Sequence, residues 1–345
     1  MRDDGRVAQR KILTTDYHTA GEPFRIVIDP RLALPGDTVA DRRAKALHSA
    51  DAQGLRQLLC FEPRGHADMY GAFLVPPDDD GAHLGVLFWH KDGFSTACGH
   101  GTIALGVWAV ETGMVQAPDD GAVDVVIDVP SGRVTARVQR EQGRTVAVDF
   151  VNVASYVIAR DVPLDTSRGE VSVTVAYGGA NYASVDAADV GLTVGASDYR
   201  ELIALGREVK WVLDDTEHAV HPSDPRLSGI YGTILYEDLG FEGDQVLQRN
   251  VTVFADGEVD RSPCGSGTAA RLAVLADEGR VAPAGPTLRH ESIVGSVFTG
   301  AVVSTTTEAG RPAVVPQVTG MAYPTGEHAF VVDPADPLVP GFVLR

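Results

Sequence analysis

Two short segments differ from the rest of the chain in their pattern of apolar and polar positions. TIALGVWAV (102–110) is apolar on every side of a helix, and TAARLAVLA (268–276) is nearly so, with only Arg271 breaking the pattern. Because a helix without a polar face cannot lie on a surface, other elements have to surround it. The pattern therefore predicts two central helices, each wrapped by a curved sheet.

Strand-like segments flank both helices. FRIVID (24–29) and LGVLFWH (84–90) have the composition and length of strands in the first half, as does GIYGTILYE (229–237) in the second. Apolar residues at helical spacing predict further helices within the segment 41–61 and over 198–213. Each half is thus strands, one apolar helix and more strands, which favours two similar α+β domains over a doubly wound parallel sheet.

Copies of one motif precede the two apolar helices. STACGHGTIALG and RSPCGSGTAARL align without a gap, and their shared positions are Cys98/Cys264, Gly99/Gly265, Gly101/Gly267, Thr102/Thr268 and Ala104/Ala270. The constant offset is close to half of the chain, which indicates a duplicated unit. We expect a first domain over 1–160 with Cys98 and a second over 161–329 with Cys264, the active site lying in the cleft between them. The C-terminal tail, about 330–345, could return to the first domain.

Net charge and cysteine content limit the kinds of molecule that the protein is expected to bind and the compartment in which it is expected to occur. A net charge of −18 argues against nucleic acid or an anionic membrane, whereas a small zwitterion can still bind through local backbone donors. The N-terminal MRDDGRVAQRKIL lacks the apolar core of a secretory signal, and no apolar run is long enough to span a bilayer. Three cysteines do not suit a secreted disulfide framework. We therefore expect a cytoplasmic protein, with Cys60 as a buried, inert thiol.

Cys98 and Cys264 each fall at the start of a predicted helix. The unpaired N–H groups there, and a helix dipole equivalent to roughly +0.5 charge, favour a thiolate and would lower the pKa of a cysteine from its usual ~8.5. The neighbouring glycines allow the backbone to form a cradle for an anion. Each motif thus offers a reactive sulfur beside donors suited to a carboxylate.

Two such motifs facing each other would place the α-carbon of a bound carboxylate between two sulfurs. One thiolate could remove the α-proton while the opposite thiol protonates the other face, and the donors at the carboxylate would stabilise the charge that develops. This predicts stereoinversion without a cofactor.

The motif has two other interpretations. Both cysteines could be no more than small residues at helix starts, with glycines serving turns. Gly99-x-Gly101-x-x-Ala104 and its second copy fit a loose dinucleotide fingerprint, but the surrounding elements do not alternate β-α-β. The histidines lack the spacing of metal ligands, so we expect no metal site.

Several stretches together carry a resemblance to a known family: DYHTAGEP (16–23), EPRGHADMYGA (62–72), CGHGTIALG (98–106), DRSPCGSGTAARLA (260–273) and HESIVGSVFTG (290–300). They resemble the proline racemase superfamily, which includes hydroxyproline 2-epimerases and trans-3-hydroxyproline dehydratases. The resemblance spans nearly the whole chain. It implies a fold like that of diaminopimelate epimerase, with two pseudo-symmetric domains, no cofactor and a small imino-acid substrate. A homodimer is an expectation from the family alone.

The resemblance also implies roles for individual residues. Cys98 and Cys264 would be the acid/base pair, and backbone donors at Gly99, His100, Gly265 and Ser266 would hold the substrate carboxylate. Asp260 would contact the substrate amine. The His100 side chain could touch the amine or a ring substituent, or cap its helix.

Four further residues in the quoted stretches receive no chemical step. His18, Arg64, His66 and Asp68 are expected to stabilise loops through hydrogen bonds.

The identity of the second base separates the subfamilies. In the dehydratases of the family this position is characteristically threonine, so Cys264 favours inversion at Cα, first of hydroxyproline and also of proline. The stretches around both cysteines equally resemble dehydratase sites, which keeps trans-3-hydroxy-L-proline dehydration as the alternative. A non-catalytic imino-acid binding protein is a second alternative.

Overall fold

The structure is a computed structural model that describes residues 11–344. Residues 1–10 and Arg345 lie outside the described residues, and with them most of the N-terminal stretch discussed above. No helix within 11–344 is long and apolar enough to cross a membrane.

The first half contains nine strands and three α-helices among the described residues. In chain order they are β1 (Lys11–Thr19), β2 (Glu22–Val27), α1 (Val39–Ala46), α2 (Ala50–Cys60), β3 (Gly71–Val75), β4 (Leu84–His90), β5 (Gly93–Phe94), α3 (Gly99–Glu111), β6 (Gly121–Val129), β7 (Gly132–Glu141), β8 (Arg144–Val151) and β9 (Ser155–Thr166).

Within the part of the second half that the structure describes, this plan is repeated with nine strands and two α-helices. They are β10 (Gly169–Tyr177), β11 (Asn181–Asp186), α4 (Tyr199–Asp214), β12 (Ile230–Glu242), β13 (Gln245–Phe254), β14 (Glu258–Asp260), α5 (Gly265–Asp277), β15 (Thr287–Ser292), β16 (Val297–Glu308), β17 (Arg311–Gly320) and β18 (Ala322–Val331).

Strand pairing is the same in the two halves. β1–β2, β3–β4 and β4–β5 are antiparallel, while β2–β3 and β4–β6 are parallel. In the second half β10–β11, β12–β13 and β13–β14 are antiparallel, and β11–β12 and β13–β15 are parallel. The duplication inferred from the motif therefore extends to the whole strand order.

Each half donates its last strand to the other. β9 pairs with β10, and β18 pairs with β1, both antiparallel, while β8 pairs with β17 across the middle. We propose that each domain is completed by the final strand of its partner, which refines the division expected at residues 160 and 161.

The two central helices are buried as predicted. In α3 all residues from Gly99 to Val110 are buried, and in α5 all residues from Gly265 to Leu275 are buried. Arg271, the one charged residue of this apolar set, lies over the Tyr236 ring at 3.9 Å from its centroid, which gives its buried charge an aromatic partner.

The helix expected within 41–61 is two helices. The Ser49 hydroxyl accepts a hydrogen bond from the Ala52 N–H and so starts α2 as a new helix. Thr38 and Asp41 form a reciprocal capping box at the start of α1. Cys60 is fully buried at the end of α2, as expected, and burial raises the pKa of its thiol.

Candidate active site

The two cysteines cap the helices whose N-terminal ends meet in the middle of the molecule. The Gly101 N–H donates to Cys98 Sγ at 3.2 Å, and the Gly267 N–H donates to Cys264 Sγ at 3.4 Å. Each sulfur thus accepts a hydrogen bond from the first turn of its own helix, as an N-cap does.

Glycine is required where the helix ends touch. A Cβ on Gly99 would lie 2.5 Å from the Cα of Gly265, and a Cβ on Gly265 would lie 2.6 Å from the Cα of Gly99. These distances are shorter than van der Waals contact, so only residues without a side chain let the two backbones approach so closely.

Both sulfurs line one closed cavity between the halves. Its other lining residues are Tyr70, Ala97, His100, Tyr182, Tyr231, Phe254, Asp260 and Ser266. The space open to the centre of a water molecule in this cavity is about 10 Å³, which is room for about one water. The structure therefore brings together Cys98, Cys264, His100, Asp260 and Ser266, and places Gly99 and Gly265 directly beside them.

The pKa of both thiols is raised in the structure, whereas the sequence predicted that it would be lowered. Burial raises the pKa of Cys98 well above its usual value, and the hydrogen bond from Gly101 only partly opposes this. Burial likewise raises the pKa of Cys264, and the nearby Asp260 carboxylate raises it further. The prediction was wrong for the closed cavity because desolvation outweighs the favourable helix ends.

The backbone differs between the two cysteines. Cys98 is extended, with φ −157°, whereas Cys264 has φ 62° and ψ 106°. A positive φ at this ψ is a sparsely populated conformation for a residue with a side chain, and such strain persists only where surrounding contacts hold it. The two sulfurs are therefore presented by different local geometries, although the sequence motifs match.

Asp260 and His100 approach each other from opposite halves. Asp260 Oδ2 lies 4.0 Å from His100 Nδ1, and Asp260 Oδ1 accepts hydrogen bonds from the N–H and hydroxyl of Ser262 at 2.8 and 2.7 Å. Burial raises the pKa of Asp260 to about 6, and burial lowers the pKa of His100 to about 3. At neutral pH this side of the cavity thus carries a carboxylate beside a neutral imidazole, a setting that suits an ammonium.

A buried carboxylate that the sequence analysis missed joins the halves beside Asp260. Glu22 Oε2 accepts from the backbone N–H of Arg261 at 2.8 Å and lies 3.2 Å from Arg261 Nε. Burial raises the pKa of Glu22 well above its usual value, and Asp260 adds to this. Glu22 lies in the quoted stretch DYHTAGEP, but its pairing with Arg261 depends on a contact between distant segments.

Three tyrosines of the cavity were also missed. Tyr70 and Tyr231 are hydrogen-bonded through their hydroxyls at 3.0 Å, and Tyr182 is bonded to Ser266 Oγ at 2.7 Å. The Cys264 thiol donates to the Tyr182 hydroxyl at 3.7 Å. Tyr182 and Tyr231 occupy ordinary positions in β11 and β12, where no local signal distinguishes them. Tyr70 directly precedes β3 and lies in the quoted stretch EPRGHADMYGA, but its place in the cavity depends on contacts with the other half.

A second charged cluster lies behind the aromatic wall of the cavity. His90 Nδ1 is 3.2 Å from Glu258 Oε2, and Asp92 completes a group whose candidate ligand atoms lie within 4.8 Å of one another. The Lys91 ammonium contacts Asp92 at 2.8 Å and Glu258 at 4.0 Å, so a cation of the chain itself already offsets part of the negative charge of this group.

The remaining residues singled out in the sequence make loop contacts. His18 Nδ1 accepts from the Gly21 N–H at 3.2 Å, and Arg64 Nη2 donates to Asp336 at 3.2 Å. The His66 carbonyl accepts from the Met69 N–H, and Asp68 accepts from the Val259 N–H at 3.2 Å. The contacts of His18 and Arg64 agree with the stabilising role expected for them, whereas the His66 contact involves only its backbone and Asp68 joins the first half to β14 of the second.

Comparison with known proteins gives consistent matches over almost the full length. Residues 14–343 match the family model described as proline racemase. The chain is 47% identical to a trans-3-hydroxy-L-proline dehydratase of Burkholderia cenocepacia and 46% identical to a 3-hydroxyproline 2-epimerase of Burkholderia multivorans, each alignment covering 97% of this chain and 99% of the relative. A crystal structure of a hydroxyproline epimerase from Agrobacterium vitis, with bound trans-4-hydroxy-L-proline, superposes with a TM-score of 0.89 at 33% identity, covering 100% of this chain and 97% of the other.

The fold and these relatives define an enzyme of the class that comprises imino-acid epimerases and dehydratases, with two pseudo-symmetric α+β halves around central helices. The chain belongs to the proline racemase family. The fold class predicted from the sequence is confirmed. The relatives named above are enzymes, which argues against a non-catalytic binding protein.

Proposed function

We propose that the protein dehydrates trans-3-hydroxy-L-proline, beginning with removal of the Cα proton by a cysteine thiolate. The observation that carries the proposal is the single cavity lined by one cysteine from each half at touching helix ends. The sequence alone ranked epimerisation of hydroxyproline first. The dehydratase name of a close full-length relative reverses this order.

The proposed site holds the substrate at two points. The free N–H groups at the starts of α3 and α5, at Gly99, His100, Gly265 and Ser266, bind the carboxylate, and Asp260 binds the ring ammonium. As the Cα proton leaves, negative charge moves into the carboxylate, where the N–H groups stabilise it. The substrate ammonium also adds a positive charge near the sulfurs, which favours the thiolate that burial otherwise disfavours.

Elimination then requires acid/base chemistry on one face of the ring only. In the trans isomer the Cα hydrogen and the C3 hydroxyl lie on the same face. The thiolate takes the proton, the C–H electron pair forms the C2–C3 double bond, and the hydroxide leaves from C3 with the proton returned by the same thiol as water. The cyclic enamine then tautomerises to the imine, a pyrroline carboxylate.

Inversion at Cα is the second candidate, because the cavity has a cysteine in each half. The opposite thiol would protonate Cα from the other face and give the 2-epimer. The 3-hydroxyproline 2-epimerase name of another close relative supports this reaction, which needs both cysteines, whereas dehydration needs one.

Proton NMR in deuterated water separates these reactions. The wild type is expected to convert trans-3-hydroxy-L-proline to the pyrroline carboxylate, with the deuterated 2-epimer as a second product. Cys98→Ser and Cys264→Ser should each abolish inversion, because a serine hydroxyl is far too weak an acid to form a ready base. Only the variant that lacks the base on the L face should also lose dehydration.

Two results would contradict the proposal. Wild-type protein that forms no pyrroline carboxylate from trans-3-hydroxy-L-proline would exclude it. So would both serine variants retaining full dehydration, provided that their circular dichroism spectra match the wild type.

A further inference from the structure

The matching strand registers identify which cavity residues correspond between the halves. Arg25 pairs with Gly71, which pairs with Trp89. The equivalent series in the second half is Ala183, Thr233 and Val253. The residues immediately before Arg25 and Ala183 therefore correspond, and they are Phe24 and Tyr182. A phenyl ring is compatible with this position, so the fold does not require the Tyr182 hydroxyl.

The same correspondence divides the cavity into two unlike sides. His100 and Ser266 each lie two residues after their cysteine. By strand pairing Ser95 takes the place of Asp260, because Trp89 pairs with Phe94 just as Val253 pairs with Val259. This match leaves one more residue between Asp260 and Cys264 than between Ser95 and Cys98, so here it departs from the gapless alignment of the motifs. The two halves are related by a pseudo-two-fold axis. Where one side of the cavity has His100 and Asp260, the opposite side therefore has Ser266 and Ser95.

That opposite side is rich in neutral hydroxyls, and we call Tyr70, Tyr182, Tyr231 and Ser266 the hydroxyl side. Tyr70 lies at its border with the first side, because the Tyr70 and His100 rings are 4.9 Å apart between centroids. Ser95 Oγ is hydrogen-bonded to the Tyr70 hydroxyl, which continues to Tyr231, while Tyr182 bonds to Ser266. The Tyr182 and Tyr231 rings are 5.6 Å apart between centroids, so the two pairs are neighbours. Burial raises the pKa of all three phenols well above the usual value, which keeps them protonated.

The two unlike sides of the cavity determine how the substrate ring is oriented once Cα has become planar. When Cα has lost its proton, its carboxylate, its nitrogen and C3 lie in one plane, with the two sulfurs above and below. If the carboxylate is at the helix ends and the nitrogen at Asp260 and His100, C3 has to point away from them. C3 then faces the hydroxyl side.

We infer that the hydroxyl side binds the C3 hydroxyl of the substrate and makes the site selective for 3-hydroxylated imino acids. Tyr182 is its central residue, because it contacts both Ser266 and the sulfur of Cys264. The inference rests on the proposed function and adds to it the residues that bind the C3 hydroxyl of the ring. A site that hydrogen-bonds a substrate hydroxyl discriminates strongly against an analogue without one, since its polar groups are then left unsatisfied.

The test compares Tyr182→Phe with a matched control, Tyr156→Phe. Tyr156 is another buried tyrosine, but it does not line the cavity. For each protein, KM and kcat are measured for dehydration of trans-3-hydroxy-L-proline, and L-proline is measured as a competitive inhibitor. For Tyr182→Phe we expect KM for the hydroxylated substrate to rise about tenfold while the inhibition constant of L-proline stays within about twofold of wild type. The Tyr156→Phe control should change neither value by more than about twofold.

The outcomes distinguish this inference from the proposed function. Wild-type protein that forms no pyrroline carboxylate from trans-3-hydroxy-L-proline would overturn both. Wild-type protein that reacts normally, with Tyr182→Phe weakening L-proline and the hydroxylated substrate equally, would overturn only the assignment of the hydroxyl side. An unchanged KM for the hydroxylated substrate in Tyr182→Phe would also overturn it, even where L-proline is too weak an inhibitor to measure.

Discussion

At the scale of single residues, burial controls the acid/base chemistry of the cavity. The sequence showed that Cys98 and Cys264 start helices, and from this a lowered thiol pKa follows. It could not show that the opposite half of the molecule removes water from both sulfurs. Local sequence therefore singled out the two sulfurs that we propose to react, whereas their protonation state depends on contacts between residues far apart in the chain.

Asp260 gives this burial a measurable consequence. Its pKa, raised to about 6 by burial, means that the carboxyl is neutral below this pH and anionic above it. Because the anion is the form that attracts the substrate ammonium, kcat/KM is expected to fall as the pH is lowered through about 6. The measurement is the pH profile of kcat/KM between pH 4.5 and 8, which reports groups of the free enzyme.

Asp260→Asn provides the comparison for that profile. The amide does not titrate, so the variant should have a lower kcat/KM and no acidic limb near pH 6. An acidic limb that persists unchanged in Asp260→Asn would assign it to another group.

At the scale of elements, the sequence predicted what local patterns determine. β4 coincides with the predicted strand 84–90, and the apolar segments 102–110 and 268–276 lie within α3 and α5. The break between α1 and α2 was missed because the cap at Ser49 interrupts an otherwise continuous helical pattern. The pairing of β18 with β1 could not be predicted, because strand partners distant in sequence leave no periodic signal, whereas β9 and β10 are consecutive strands joined by a short turn.

Because α3 and α5 touch at Gly99 and Gly265, a single added methyl group at Gly99 is expected to reduce activity. Gly99→Ala would place a Cβ 2.5 Å from Gly265 Cα, and the helix ends would have to separate. We expect kcat to fall by at least about a hundredfold, because an error of about 1 Å in the position of reacting groups can cost this much. Steady-state kinetics together with circular dichroism would show lost activity with the secondary structure retained.

Gly54→Ala is the control for this substitution. Gly54 lies within α2, and a Cβ there would meet no atom within 4 Å. The control should keep full activity and gain roughly 0.5–1 kcal/mol of stability, since alanine is the better helix former. Full activity in Gly99→Ala would show that the touching helix ends are not needed for catalysis.

At the scale of the whole molecule, the two halves enclose a cavity far too small for an imino acid. Contacts across the cleft hold this closed form: Arg261 binds Glu22, and the Asp256 N–H donates to the Asp92 carboxylate at 2.9 Å. Since the cavity has room for about one water, we expect substrate entry to require the halves to separate. Closing on the substrate would then restore the dry environment in which hydrogen bonds to the developing charge are strongest.

A reversible cross-link between the halves tests this opening. Residues 92 and 256 are neighbours across the cleft, so Asp92→Cys with Asp256→Cys is expected to form a disulfide on mild oxidation. The cross-linked protein should lose nearly all turnover, and reduction should restore it, because the closed cavity excludes the substrate. The two single variants and the wild type, oxidised in the same way, control for modification of Cys98 and Cys264. If the cross-linked protein, verified by mass spectrometry, turned over at the rate of its reduced form, the substrate would reach the sulfurs without separation of the halves, and the cleft contacts would serve stability alone.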